Sequence, residues 1–143
     1  MNEDEARRRF SAARVAVLAT ADAAGTPHAV PVTFAVDGDD VCTAVDGKRK
    51  TTTSLKRHAN VLENPQVSLL VQRWDDDWSA LWWVRADGIA TLAEDPERIA
   101  PIVDLLRGKY SQYAVVPISG PVMRVAVHTW RGWTAVPSDQ PVY

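Results

Sequence analysis

The chain has 143 residues, 46% of them hydrophobic and 24% charged, with 16 basic against 18 acidic side chains and a net charge of −2. That length and composition predict one globular domain, residues 1–143, large enough to bury a core. The acidic balance argues against general nucleic-acid binding, and no apolar run is long enough to span a bilayer.

The single cysteine, Cys42, excludes an intrachain disulfide framework or a multi-cysteine metal site and fits a reducing cytoplasm. The leading MNEDEARRRF is charged and lacks the apolar stretch of a secretory signal, so a cytoplasmic location is expected.

In chain order, residues 3–10 predict a short, weakly amphipathic helix of mixed charge. Residues 14–21 (RVAVLATA) predict a strand, ended by turn chemistry from Asp22 through Gly25 to Pro27. Residues 28–36 (HAVPVTFAV) predict a second strand; Pro31 cannot donate to a ladder, so an edge or an irregularity belongs there. Asp37-Gly38 is a hairpin turn, and residues 41–45 return as a third strand.

A basic segment follows. Lys48, Arg49, Lys50, Lys56 and Arg57, five of the 16 basic residues, fall between Lys48 and Leu62 with no acidic residue among them. Leu55, Ala59 and Leu62 at i, i+4 and i+7 predict a short helix with one apolar stripe. A hydroxyl from Thr51, Thr52, Thr53 or Ser54 is expected to cap it, and Asn64-Pro65 to end it. Arg57 and Asn60, like Lys56 and Asn60, share a helical face. Cations, hydroxyls and a helix start coincide here, which suits a compact anion such as phosphate better than a long polyanion. The plainer reading is a solvated charged face. A nucleic-acid surface is the weaker alternative, because no aromatic residue interrupts the run.

Strands resume at residues 66–73 (QVSLLVQR) and 81–92 (LWWVRADGIATL). Asp95 as N-cap and Pro96 at the first helical position start another helix, with Ile99, Ile102, Val103 and Leu106 as its buried face. Residues 121–134 form the last long strand and 137–143 a tail. About six antiparallel strands call for closure, since open edges invite aggregation. The expected fold is therefore mainly β (α+β): a six-stranded antiparallel barrel with two or three short helices outside.

Other motifs are less productive. Asp75-Asp76-Asp77 lacks the glycine and the closing glutamate of a calcium loop, with Ala80 and Ala86 in those places, and reads as a solvated turn. His28, His58 and His128 show no zinc-like spacing, and Cys42 reads as a small buried hydrophobe. Adjacent Trp82 and Trp83 on a strand point to opposite faces, as do Trp130 and Trp133, so both members of a pair cannot enter one interior. For the cluster of Trp74, Trp78, Trp82 and Trp83, contact with a second copy is the first reading and stacking on a ligand the second. No side chain stands out as a dedicated acid, base or nucleophile, a pattern compatible with cofactor-borne redox chemistry.

The hairpin ATADAAGTPHAVPVTF, the basic helix closing on N-x-x-x-N-P-x-V-S-L-L-V, and the strand carrying x-G-x-A resemble the split β-barrel superfamily of flavin and deazaflavin oxidoreductases, which includes pyridoxamine-phosphate oxidase-like proteins. DDDWSALWWVRADGIATL and GPVMRVAVHTWRGWTA look like its actinobacterial branch that uses coenzyme F420. The resemblance covers about residues 4 to 136.

It implies a homodimer holding each cofactor between subunits, with coenzyme F420, or alternatively FMN, as that cofactor and a small-molecule acceptor as substrate. It places Pro31, Val32 and Thr33 under the ring system and Arg57 and Asn60 at the family's basic-x-x-Asn positions. Lys48 and Lys50 sit where other members place cations, and Arg49, Thr51 and Lys56 of the same basic segment are further candidates for holding the cofactor. Trp78 joins as a stacking candidate, and Arg131 as a candidate for reaching a polyanionic coenzyme tail across the dimer. The acceptor pocket depends on residues 111–119. A non-catalytic cofactor or tetrapyrrole binder is the alternative from another class.

Overall fold

The computed structural model describes residues 1–46 and 55–136. Helix α1 (Glu3–Ala12) starts on Asn2, whose side chain accepts from the Glu5 amide, and it buries Ala6 and Phe10. Then come β1 (Ala16–Ala21), β2 (Pro27–Val32), β3 (Ala35–Asp37), β4 (Asp40–Asp46), α2 (Lys56–Glu63), β5 (Gln66–Arg73), β6 (Trp82–Ala93), α3 (Pro96–Lys109) and β7 (Ile118–Thr134). The strands make one sheet in the order β2-β1-β5-β6-β7-β4-β3, every neighbouring pair antiparallel.

This corrects the expected six-stranded closed barrel. The sheet has seven strands, because the segment 28–36 divides at Thr33 and Phe34 into β2 and β3. These two strands are consecutive in the chain yet lie at opposite edges of the sheet, and no ladder among the described residues joins them. The cause lies in where the backbone groups at the break find partners. Phe34 turns fully inward, and its amide donates to the Tyr110 hydroxyl at 3.2 Å. That hydroxyl also has the Arg14 and Phe34 carbonyls within donating distance, at 3.0 and 3.1 Å. The Thr33 carbonyl accepts from Thr43 Oγ1 at 2.7 Å. Side chains thus satisfy the polar backbone that a continuous strand would have given to a ladder. The irregularity expected beside Pro31 is this break.

The larger core gathers Phe10, Leu18, Phe34, Leu69, Val84 and Met123 on the inner face of the sheet. A smaller one puts Ile102 and Leu106 of α3 against Cys42, Tyr110, Tyr113 and Val122. Helix α3 follows its sequence signals: the Asp95 side chain accepts from the Glu97 amide, Pro96 opens the first turn, and Ile102 and Leu106 are buried. The tryptophan pairs divide as the strand period requires. Trp82 lies beneath α1, with the Arg9 guanidinium 5.2 Å from its ring, whereas Trp83 has Arg85 at 6.0 Å. Trp130 is buried against Phe10, and Trp133 is 46% exposed.

Helix α2 departs from expectation in two ways. Leu55 is its N-cap and makes no side-chain cap hydrogen bond, and the hydroxyls at 51–54 expected to cap it lie outside the described residues. Its buried residues are His58, Asn60 and Val61, while Leu62 is 76% exposed. The stripe of Leu55, Ala59 and Leu62 is therefore not the docking face. The connection from β5 to β6 is a structural turn: Asp75 Oδ1 accepts from the Asp77 amide, and the Asp77 side chain caps a 3-10 turn at Trp78–Ala80. No helix among the described residues is long and apolar enough to cross a membrane.

Candidate functional site

Helix α2 is tied to the turn between β1 and β2. Asn60 is fully buried and donates from Nδ2 to Thr20 Oγ1 at 3.0 Å. Glu63 Oε2 accepts from the Ala23 amide at 3.0 Å. Lys56 Nζ lies 3.7 Å from Asp22 Oδ2. The Asp22 carboxyl is held below its ordinary value, chiefly by the Thr26 amide; burial opposes this, and the Ala24 amide and Lys56 add to the lowering. Arg57 differs from its neighbours. Burial pushes its guanidinium below its ordinary value, and it forms no ion pair with any other described residue. Burial, then the Arg57 charge, likewise lowers the His58 imidazole. Arg57 is thus a desolvated cation beside the position where the segment 47–54 joins the helix. Lys48, Arg49, Lys50 and Thr51 lie outside the described residues.

The other end of the β1–β2 hairpin holds the break. Thr20 pairs with His28, five residues before Thr33, so roughly 16 Å of chain separates the α2 contact from Thr33. Pro31 is exposed on the edge strand, Val32 points inward at 6% exposure, and Thr33 is half-buried. Thr33 Oγ1 and the Tyr113 hydroxyl are 2.6 Å apart. Around them opens a cavity of about 830 Å³, lined in part by Arg14, Thr33, Arg107, Lys109, Tyr113 and Val116. Ser111, Gln112, Tyr113 and Val116, from the segment 111–119 expected to shape an acceptor pocket, are among its lining residues. Arg14, Arg107, Lys109 and Tyr110 were not among the sequence candidates. They join Thr33 only through long-range folding: Tyr113 is 80 positions from Thr33, and no local spacing pattern reports such a contact.

Of the remaining candidates, Arg131 sits on the outer face of the sheet and Trp78 on the turn between β5 and β6. The register sets Pro31, Val17, Leu70, Arg85 and Arg131 in one row across five strands. Arg131 is thus directly opposite Arg85, whose guanidinium is already committed to Asp87 at 2.8 Å. Burial raises the Asp87 carboxyl, but hydrogen bonds from Arg85 and Ser68 outweigh it and leave the group below its ordinary value. Trp78 is 69% exposed on its 3-10 turn. Within one protomer, then, the candidates form three groups rather than one: α2, the Thr33 cavity, and the outer sheet face.

Solved structures with this architecture are numerous. A conserved hypothetical protein, Rv2991, from Mycobacterium tuberculosis superposes with a TM-score of 0.75 at 20% identity, covering 99% of this chain and 92% of that one. An FAD-binding protein from Mesorhizobium loti gives 0.69 at 19% identity, with 92% of both chains covered. The heme storage protein HutZ from Vibrio cholerae gives 0.69 at 16% identity over 94% of this chain and 95% of its own. No curated protein matches the sequence. Residues 3–134 match the family described as pyridoxamine 5'-phosphate oxidase. With the match running from the first turn of α1 to the last residue of β7, the chain belongs to the pyridoxamine 5'-phosphate oxidase family.

Proposed function

We propose that this protein is a coenzyme F420-dependent oxidoreductase that works as a cytoplasmic homodimer. The observation that carries the reading is Arg57, half-buried and without an acidic partner among the described residues, at the junction with a segment rich in further cations. A cation held in that state is stabilised by an anion that arrives with a ligand. Arg57 and Lys56, joined by Lys48 and Lys50, bind the cofactor's phosphate. Asn60, committed to Thr20, acts by fixing α2 against β1 rather than by touching the ligand.

Bound there, a deazaflavin supplies hydride transfer to or from a small unsaturated acceptor such as an enone or quinone. The protein's share is orientation and exclusion of water. The backbone of Pro31 and Val32 lies on the edge strand β2, which has no strand on its far side among the described residues, and Thr33 follows directly; in this reading a planar ring lies along them. Tyr113 holds the Thr33 hydroxyl in one direction. Across the dimer, Arg131 and Trp78 reach the coenzyme tail and ring. An anionic tail longer than that of FMN accounts for five cations where one phosphate needs fewer.

FMN is the second reading, favoured by the likeness to FAD-binding proteins from Mesorhizobium loti and Mycobacterium smegmatis. The likeness to HutZ keeps a non-catalytic tetrapyrrole binder as the alternative from a different class. Fluorescence titration of the purified protein with oxidised F420, and separately with FMN, tests all three. Tight F420 and weak FMN binding is the expected result, with Arg57→Ala weakening it by about 1.5–3 kcal/mol. A preference for FMN moves the protein to the flavin branch. Binding of neither, with heme bound instead, overturns the redox reading.

A further inference from the structure

We infer that the cavity beside Thr33 binds the carboxylate of a small, planar, unsaturated acceptor through Arg14, Arg107 and Lys109. The inference rests on the reading of Thr33 as part of the ring-bearing strand. The cofactor's phosphate then sits with Arg57 on α2, whose contact with β1 lies roughly 16 Å along the chain from Thr33, so an anion in this cavity belongs to a second molecule.

Charge is the first argument. Among the described residues the lining contains three cations and no acidic residue, in a chain whose net charge is −2. Two of these cations, Arg107 and Lys109, end α3 and complement its dipole, which alone explains cations at that place. It does not explain why Arg14, from the start of β1, joins them, or why one of them is buried without an acceptor. Lys109 Nζ is out of contact with water and has no hydrogen-bond partner among the described residues. Its company is aromatic: the Phe34 and Tyr110 ring centroids lie 3.7 and 5.4 Å away. Burial, and then the Arg14 charge, pushes its amine down to about 8. A carboxylate in the cavity offsets both penalties through its charge, and it meets Nζ directly once the side chain swings off the Phe34 ring.

Arg14 remains able to bind. It gives one N–H to the Lys109 carbonyl at 2.6 Å and lies over the Tyr110 ring at 5.7 Å, and a guanidinium has further donors in a fork suited to carboxylate. The body of the ligand follows from the rest of the wall. Tyr110, Tyr113 and Val116 offer flat apolar surface, with the Ser111 and Gln112 side chains polar at the rim. A volume of about 830 Å³ admits a small molecule of this class.

The test is an NMR titration of the full chain with cinnamate and with its neutral counterpart cinnamamide, read at the backbone amides of residues 108–116. Cofactor affinity is followed separately by fluorescence. The expected result is cinnamate binding at these amides, with cinnamamide weaker by about tenfold or more. Arg107→Gln, an exposed position that leaves the core intact, and Lys109→Met are expected to weaken cinnamate by about tenfold while cofactor affinity stays at the parental level. Equal binding of acid and amide, or variants that bind cinnamate like the parent, overturns the inference. Variants that lose cofactor rather than cinnamate overturn it too, by assigning the cavity to the coenzyme tail. A protein that binds cinnamate here but neither F420 nor FMN keeps the anion site and fails only the redox reading, so the two failures are distinguishable.

Discussion

Lys109 sits where its charge is least welcome, and stability should report this. Folded, its amine releases a proton at about pH 8, because of burial and then Arg14; unfolded, it holds the proton to its ordinary 10.5. Between those values the unfolded chain binds more protons, so stability rises as pH rises through the window. Below it both states are protonated and the penalty is fully present. The urea midpoint is expected to climb from pH 8 to pH 10 in the parent and to stay flatter in Lys109→Met; parallel profiles would show that Lys109 is not the titrating group. Burial raises the Tyr110 hydroxyl above its ordinary 10, so the unfolded chain gives up this proton first and stability begins to fall near pH 10, at the upper end of the window. Asn60 is the matching case among neutral groups. Its replacement by Ala leaves the buried Thr20 hydroxyl without its donor and is expected to cost about 1–3 kcal/mol in urea unfolding. Arg57→Ala should instead spare stability and lose ligand affinity. If Asn60→Ala unfolds like the parent while binding fails, Asn60 is a ligand contact and the division of labour on α2 is reversed. The basic-x-x-Asn spacing showed that both residues could share a face, but spacing says nothing about which of the two meets β1.

At the scale of elements, the features legible in sequence were those decided locally. Asp95 and Pro96 started α3 where expected, because a cap and a proline act within one turn. The failures came from distant partners. Residues 28–36 read as one strand because nothing nearby announces that the Phe34 amide is taken by Tyr110, 76 positions on. The stripe on α2 was misjudged for a related reason: periodicity groups residues by face, and the docking face was chosen by Thr20. Strand β6 combines both kinds of information. Its register with β7 shifts between Asp87 and Gly88, and a Cβ at Gly88 would run into the Ala126 carbonyl and the Val125 side chain. Gly88 has an ordinary backbone conformation, so the requirement is space rather than torsion. Because the obstructing atom is backbone and cannot swing aside, Gly88→Ala is expected to destabilise by about 1–3 kcal/mol, seen as a lower urea midpoint at unchanged slope. An unchanged midpoint would mean that the bulge yields.

For the whole molecule, the unanswered demand is the outer face of the sheet. The inner face is filled by the core, yet Val15 and Val17 stand 55% and 38% exposed on the start of β1, Trp133 stands 46% exposed on β7, and Leu70 lies between these strands on the same side. One side of a strand alternates with the other, so these residues belong to a single surface. A hydrophobic row bordered by Arg85, Asp87 and Arg131 has the composition of a subunit contact: an apolar centre with a charged margin. The proposed dimer would use this surface. Pro31 lies on the same row as Arg131, four strands away, so pairing two copies through it brings the edge strand of one near the cations of the other. Val17→Lys tests this cleanly, since the side chain already faces outward and its loss removes little from the monomer's core. The parent is expected to scatter light as a dimer at low micromolar concentration. The variant should scatter as a monomer with its thermal transition largely kept, and with cofactor affinity reduced at least about tenfold. A variant that stays dimeric would move the interface to another face. A monomeric variant that still binds cofactor at full strength would show that one chain, with Arg57 and its own basic segment, is sufficient to hold the ligand.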